Sequence, residues 1–164
     1  MNFVKNAWYV AAESHELGDG LLGRTICSEP VVLFRAGDGT PAALEDRCCH
    51  RDLPLSLGAQ VGNGVRCGYH GLHFDASGAC VSVPGQTRVP PGAAIRAFPV
   101  VERYRYIWIW TGDPAAADDS LVPDFHWNDD PGWISNTGYF HVDGNHQLLV
   151  DNLLDLSHVQ FVHA

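Results

Sequence analysis

The chain has 164 residues, 46% of them hydrophobic and 18% charged, which describes a globular chain with room for one domain and part of a second. Its net charge of −9 argues against nucleic acid as a partner, because phosphate contacts need a basic face. No apolar run approaches the roughly 18 residues of a membrane span. The stretch around Lys5-Asn6-Ala7-Trp8 lacks the apolar core and cleavage site of a signal peptide, so no membrane partner and a cytoplasmic location are expected. Five cysteines, an odd number without an export signal, are not expected to pair as disulfides.

As far as Trp110 the chain reads as short strands separated by Gly, Pro and Asp turns, the pattern of antiparallel all-β structure. Strands are expected at Trp8 to Ala11, Thr25 to Cys27 and Val31 to Arg35. A hairpin loop over 36–40 then returns through Ala42 to Asp46 and delivers Cys48 at its tip. Val65 to Cys67 leads into a second loop. Leu72 to Phe74, the turn 75–78 and Cys80 to Val83 form a further hairpin, and Ile95 to Val101 with Arg105 to Trp110 give the last strand pair. Both Cys-containing loops are thus expected to be mounted on hairpins.

Those loops carry Cys48-Cys49-His50-Arg51 and Cys67-Gly68-Tyr69-His70-Gly71, which read as one metal site. Each contributes one Cys and one His, the set required by a 2Fe-2S centre with two thiolates on one iron and two imidazoles on the other. Structural zinc also takes two Cys and two His. Zinc fingers, however, pair like with like, whereas each cluster here is mixed. Cys27, Cys49 and Cys80 are expected to be buried or inert thiols, small residues in the interior.

The stretch from Gly112 to Pro123, with Asp113-Pro114, three Ala and Asp118-Asp119, marks a boundary: a first domain over 1–112, a linker over 113–123, and the start of a second domain over 124–164. Trp133 to Val142 suits a strand. Asn145 to Val162 turns helical, with Leu149, Leu153, Leu156 and Val159 recurring at three- and four-residue steps and Asp143 or Asn145 available as a cap. That helix bears His158 and His163. Five residues apart on a regular helix, they would point roughly 140° apart, so they can share a metal only if the helix ends, kinks or bulges between them. Asp155, three residues before His158, would set a carboxylate beside that imidazole. His15, His73, His126, His141 and His146 are taken as non-ligands, His73 because its side chain should leave the cluster loop.

Arg47-Cys48-Cys49-His50-Arg51, Pro54-Leu55-Ser56-Leu57-Gly58 and Cys67-Gly68-Tyr69-His70-Gly71-Leu72 resemble the Rieske domain of Rieske-type non-haem iron oxygenases. Asn6-Ala7-Trp8-Tyr9-Val10-Ala11 and Ile107-Trp108-Ile109-Trp110-Thr111-Gly112-Asp113 narrow the likeness to the vanillate and dicamba O-demethylase branch, and it covers essentially the whole chain. Leu53 and Tyr69 stand where respiratory-type Rieske proteins carry a second Cys pair. Cys49 stands where oxygenases usually have Pro.

The resemblance implies a mainly β Rieske 2Fe-2S domain of antiparallel sheets, followed by the beginning of an α+β catalytic domain that is truncated. It implies Cys48, His50, Cys67 and His70 as cluster ligands, and His158 and His163 as two ligands of a mononuclear non-haem Fe(II) whose third, carboxylate, ligand lies beyond Ala164. Asp155 would link the mononuclear site to His70 of a neighbouring subunit in a homotrimer and carry the electron from that subunit's cluster to the iron, and Asn152 would lie near that iron. Electrons would come from NADH through a separate reductase or ferredoxin. The implied reaction is O2-dependent hydroxylation of an aromatic O-methyl substrate, collapsing to a phenol and formaldehyde. A stand-alone Rieske ferredoxin is the competing reading. It has no use for Asp155, His158 and His163.

Overall fold

In the computed structural model, which describes residues 3–163, the chain separates into two compact units, 1–134 and 135–164. The first is built from eleven strands in three antiparallel sheets: β1 (Trp8–Glu13), β2 (Leu22–Ile26), β3 (Glu29–Arg35), β4 (Pro41–Glu45), β5 (Ala59–Val61), β6 (Gly64–Arg66), β7 (His73–Asp75), β8 (Cys80–Ser82), β9 (Ala97–Phe98), β10 (Val100–Arg103) and β11 (Tyr106–Trp110). Their orders are β1-β11-β10, β2-β3-β4-β9 and β5-β6-β7-β8.

β3 separates two of the three cores. Its run Val31-Val32-Leu33-Phe34 is fully buried, because β3 lies between β2 and β4 with both faces covered. Successive side chains of a strand point to opposite faces. Val32 and Phe34, with Leu44 of β4, therefore join a cluster that holds Cys48, Cys67, Leu55, Val65 and Phe74. Val31 and Leu33, with Ala43, join Ile107 and Ile109 of β11 in a second cluster. Each fully buried side chain of this type is worth about 1.5–3 kcal/mol of transfer free energy. The sheet β2-β3-β4-β9 is thus the shared wall between the metal-loop lobe and the rest of the unit.

β11 repeats the alternation. Ile107 and Ile109 face the second cluster, while Trp108 and Trp110 turn to a third with Trp8 and Val122. A buried indole N–H needs an acceptor. Trp8 Nε1 donates to the Asp118 carbonyl at 2.8 Å and Trp110 Nε1 to the Asp113 carbonyl at 2.8 Å. Residues 113–123, expected as a linker, are therefore built onto the first unit. So are Phe125, packed on Tyr106 and Trp108, and Asn128, whose side chain donates to the Tyr104 carbonyl. The break in packing falls between Ile134 and Ser135.

Four expectations need correction. Trp133 to Val142 is not a strand: Ile134, Tyr139 and Phe140 are exposed, and the segment belongs to none of the sheets among the described residues. An unpaired ladder does not hold a strand. The Cys27 end of the second strand is instead a turn, with Cys27 and Ser28 both at positive φ, and Cys27 is half-buried. Cys49 is exposed rather than buried. Only one of the two cluster loops closes a hairpin. β6 and β7 pair up to Arg66↔His73 and bracket residues 67–72, whereas the first loop leaves β4 and crosses to β5 in a different sheet.

The second unit holds α1 (His146–Leu154), a 3-10 turn over Leu156–His158 and α2 (Val159–Val162). The Asn145 side chain caps α1 by accepting from Gln147 N. Asp155, with φ −101° and ψ 92°, interrupts what the apolar spacing reads as one helix. Leu153, Leu154, Leu156, Phe161 and Val162 are exposed. Among the described residues no helix is long and apolar enough to cross a membrane.

Candidate metal centre

The two cluster loops share one backbone design. Cys48 N–H donates to the Leu53 carbonyl at 2.9 Å and its carbonyl accepts from Asp52 N at 2.9 Å; Cys67 N–H donates to the Leu72 carbonyl at 2.8 Å and its carbonyl accepts from Gly71 N at 3.1 Å. Each loop thus runs five residues from its Cys to the closing carbonyl. The fifth residue of each turn, Asp52 at φ 58° and Gly71 at φ 75°, takes the left-handed conformation that closes it. Asp52 occupies it without a glycine and pairs with Arg47 at 2.8 Å.

Side chains and close backbone approaches lock the loops together. Asp46, just before the first loop, accepts from Ser56 N and from Ser56 Oγ, each at 2.6 Å, tying the loop's entry to its exit. Gly58 lies so close to β6 that a Cβ there would overlap the Arg66 carbonyl oxygen. Arg66 immediately precedes Cys67, so Gly58 lets the exit of one loop abut the start of the other.

This scaffold buries Cys48 and Cys67, at 1% and 3% exposure, and leaves His50 and His70 exposed. The two imidazole rings lie together, centroids 4.5 Å apart, with Tyr69 stacked on His70 at 3.8 Å. The Cys67 thiol is a neighbour of the Cys48 thiol. Burial pushes the Cys48 thiol up to about 11; the His50 peptide N–H that donates to its sulfur opposes the rise, and the adjacent Cys67 thiol adds to it. Buried thiols that resist ionisation are held as thiolates by a metal cation, and a peptide N–H on the sulfur is the contact that tunes an iron–sulfur potential. Two thiols inside and two imidazoles at the rim suit a binuclear centre with one pair per iron. Among the described residues no group of three or more His, Cys, Asp or Glu converges on a single ion, and a centre with two protein ligands per iron needs none.

His73, expected to turn away, has Nε2 3.1 Å from the Val61 carbonyl of the neighbouring hairpin. The second constellation is nearer than regular helical spacing would allow. The 3-10 turn and the end of α2 bring the His158 and His163 rings to 5.5 Å between centroids, with His163 capping α2. His158 Nδ1 lies 2.7 Å from the backbone carbonyl of Asp155. A proton on Nδ1, donated to that carbonyl, leaves Nε2 as the free lone pair, the arrangement that orients a metal-binding His.

The carboxylate of Asp155 is not beside that ring, because Asp155 is not helical. It accepts from Ser157 N at 3.0 Å and Ser157 Oγ at 2.6 Å, and the Ser157 hydroxyl holds it below the usual carboxylate range. Asn152 is exposed on α1. Reading from sequence missed Asp46, whose signal is an Asp two residues before the first Cys and a Ser following in the loop's exit.

Two matched loops that bury a thiol pair under an imidazole pair define an iron–sulfur protein of mixed ligation. The Rieske 2Fe-2S domain profile matches residues 7–99, and the chain belongs to that family. A second profile, the vanillate O-demethylase oxygenase C-terminal domain, matches residues 142–164. The chain is 53% identical over 164 residues to the dicamba O-demethylase oxygenase component of Stenotrophomonas maltophilia, covering 99% of this chain and 48% of that one. It is 51% identical over 162 residues to a toluene-4-sulfonate monooxygenase iron-sulfur subunit of Comamonas testosteroni, covering 98% and 47%. A crystal structure of dicamba monooxygenase bound to dicamba superposes with a TM-score of 0.93 at 52% identity, over 99% of this chain and 49% of that one. The chain thus spans about half the length of these relatives.

Proposed function

We propose that this chain is the electron-accepting part of a Rieske non-haem iron oxygenase that acts on an aromatic substrate, with O-demethylation as the reaction. The observation that carries the reading is the buried Cys48 and Cys67 pair beneath the exposed His50 and His70 pair, delivered by two loops of one backbone design. When bound, a 2Fe-2S cluster at these four residues supplies one-electron transfer and an Fe(II) at His158 and His163 supplies O2 activation. Cys48 and Cys67 keep the sulfur side dry. His50 and His70 turn the other side outward, where an electron can enter or leave. In the second unit Asp155 fixes the tautomer of His158 through its carbonyl, and its ionised, exposed carboxylate is free to face a neighbouring subunit.

In this reading residues 1–112 are the iron–sulfur domain, residues 113–123 lead out of it while packing on it, and residues 124–164 begin the catalytic domain, of which the stretch as far as Ile134 still packs with the first unit. The reductase or ferredoxin donor, NADH behind it, O2 as oxidant, the homotrimer with Asp155 bridging to a neighbour's His70, and Asn152 near the iron belong to the same reading. So does a cytoplasmic location, which suits the five cysteines, none of them in a disulfide. The likeness to proteins named dicamba and vanillate O-demethylase components supports a methoxylated aromatic acid as substrate. A stand-alone electron carrier would need only the first unit. The convergence of His158 and His163 in the second unit favours the oxygenase.

Redox titration of the purified chain tests the proposal. The expected result is a one-electron wave near the low end of the Rieske range, about −150 mV, since no second Cys pair links the loops. A potential near about −400 mV, typical of all-Cys clusters, or no redox activity, would refute it.

A further inference from the structure

We propose that Ser157 is a positioning residue for the Asp155 carboxylate: it holds one oxygen of that group so that the other is presented to His70 of a neighbouring subunit. This rests on the oxygenase reading above, in which Asp155 makes that bridge.

Both hydrogen bonds from Ser157, the peptide N–H at 3.0 Å and the hydroxyl at 2.6 Å, end on the same oxygen, Oδ1 of Asp155. Oδ2 receives no hydrogen bond among the described residues. An unrestrained Asp side chain moves among three χ1 wells and a broad χ2. Two donors on one oxygen remove that freedom, and the planar carboxylate then leaves its second oxygen on the side away from Ser157. The main chain of Asp155 is already tied at both ends. Its N–H donates to the Asp151 carbonyl of α1 at 3.1 Å, and its own carbonyl lies 2.7 Å from Nδ1 of His158. The side chain is the part left to be set, and Ser157 sets it.

A cap alone does not need the hydroxyl. Asp113 caps the 3-10 turn over Pro114–Ala116 by accepting from the Ala115 N–H, and alanine has nothing further to donate. The fuller clasp, with N–H and hydroxyl on one Oδ1, recurs at Asp38 with Thr40 and at Asp75 with Ser77, the hydroxyl at 2.6 Å in each. Those two close the connections from β3 to β4 and from β7 to β8. At Asp155 there is no hairpin to close. The clasp stands instead between α1 and the turn that bears His158, on the residue assigned to the bridge.

A carboxylate fixed before docking loses no rotamer freedom on meeting its partner, and the contact forms in a single geometry. The step it serves is the passage of one electron, lost on the neighbour's cluster side and gained on the iron side, with no bond made or broken. Ser157→Ala keeps the N–H that caps the turn and removes only the clasp. Ser157→Thr keeps both, as Thr40 does on Asp38.

Two measurements test the proposal. In the chain itself, three-bond Hα–Hβ couplings of Asp155 read its χ1. One rotamer is expected in the wild type and in Ser157→Thr, and averaged couplings in Ser157→Ala. Averaging in the wild type, or a single rotamer kept in Ser157→Ala, would overturn the proposal. In a chain carrying a complete catalytic domain, with both metal sites filled and substrate bound, stopped-flow absorbance follows oxidation of the prereduced cluster by O2. Ser157→Ala should be about tenfold slower with unchanged iron, sulfide and substrate affinity, and Ser157→Thr should recover the wild-type rate. Added to Asp155→Asn, Ser157→Ala should slow nothing further. A wild-type rate in Ser157→Ala beside a slow Asp155→Asn would overturn the proposal and leave the bridge standing. So would a slow Ser157→Ala that has lost iron, because that outcome assigns Ser157 to holding the metal. A wild-type rate in Asp155→Asn would instead sink the bridge, and this proposal with it.

Discussion

Replacing Asp46 by Ala should loosen the first cluster loop without touching a candidate ligand. The carboxylate makes two hydrogen bonds to Ser56, one to the peptide N–H and one to the hydroxyl, both at 2.6 Å. Hydrogen bonds to a charged group contribute about 1.5–3 kcal/mol each. The two engage the two oxygens of one carboxylate and the site is only half-buried, so a combined loss of about 2–4 kcal/mol is expected. Ser56→Ala removes only the hydroxyl partner and should cost about half as much, and the double variant should cost little more than Asp46→Ala alone. Urea denaturation followed by fluorescence gives the free energies, and iron content after gel filtration reports whether the cluster stays. Asp46→Ala with wild-type stability and full iron would refute the reasoning, because the loop would then be held by its metal and its backbone turn alone.

Gly58→Ala should cost about 1–3 kcal/mol by driving a Cβ into the Arg66 carbonyl, and it should lower cluster occupancy even with excess iron and sulfide; unchanged occupancy would mean the two loops need not abut. In the Arg35–Glu102 pair, hydrogen bonding to Arg35 holds the Glu102 carboxyl below its ordinary 4.5. Stability from a lowered carboxyl is present above the unfolded value and disappears as pH falls through the folded one. Glu102→Gln should therefore be less stable than wild type by about 1 kcal/mol at neutral pH and equal to it in strong acid; a gap that persists in acid would rule out the ion pair as its source. In a chain carrying a complete catalytic domain, Asp155→Asn should retain both metals yet lose nearly all turnover. Asn keeps the carbonyl that meets His158 and can still accept from Ser157, so a variant with normal turnover would show that only the cap matters.

The candidate centre was legible because few residue types hold iron and the mixed Cys-His clusters fit few alternatives. β3 was legible because four consecutive apolar residues have no other use in so short a segment. The missed features follow from chain geometry that composition does not encode. Cys27-Ser28 and Tyr104-Arg105 form two-residue turns at positive φ without a glycine, so neither turn announces itself. β5 is three residues of half-buried edge with no distinct pattern. Trp133 to Val142 has strand-like residues but joins none of the sheets among the described residues, and sheet membership is a tertiary property. Asp155 looks like any polar position of an amphipathic helix, yet its carboxylate caps the following turn, and this ends α1 early enough for His158 and His163 to meet. The first cluster loop was expected on a hairpin because β4 leads into it. Its far end joins another sheet, which only the three-dimensional pairing reveals.

In the proposed function Cys48, Cys67, His50 and His70 hold one 2Fe-2S cluster. Iron and acid-labile sulfide analysis of the purified chain, with pulsed EPR of the dithionite-reduced protein, tests it most directly. A red-brown protein is expected, with about two iron and two sulfide per chain and hyperfine coupling to two imidazole nitrogens, one of which disappears in His50→Cys or His70→Cys. A colourless protein with a single zinc, or a cluster whose spectrum carries no nitrogen coupling, would contradict it.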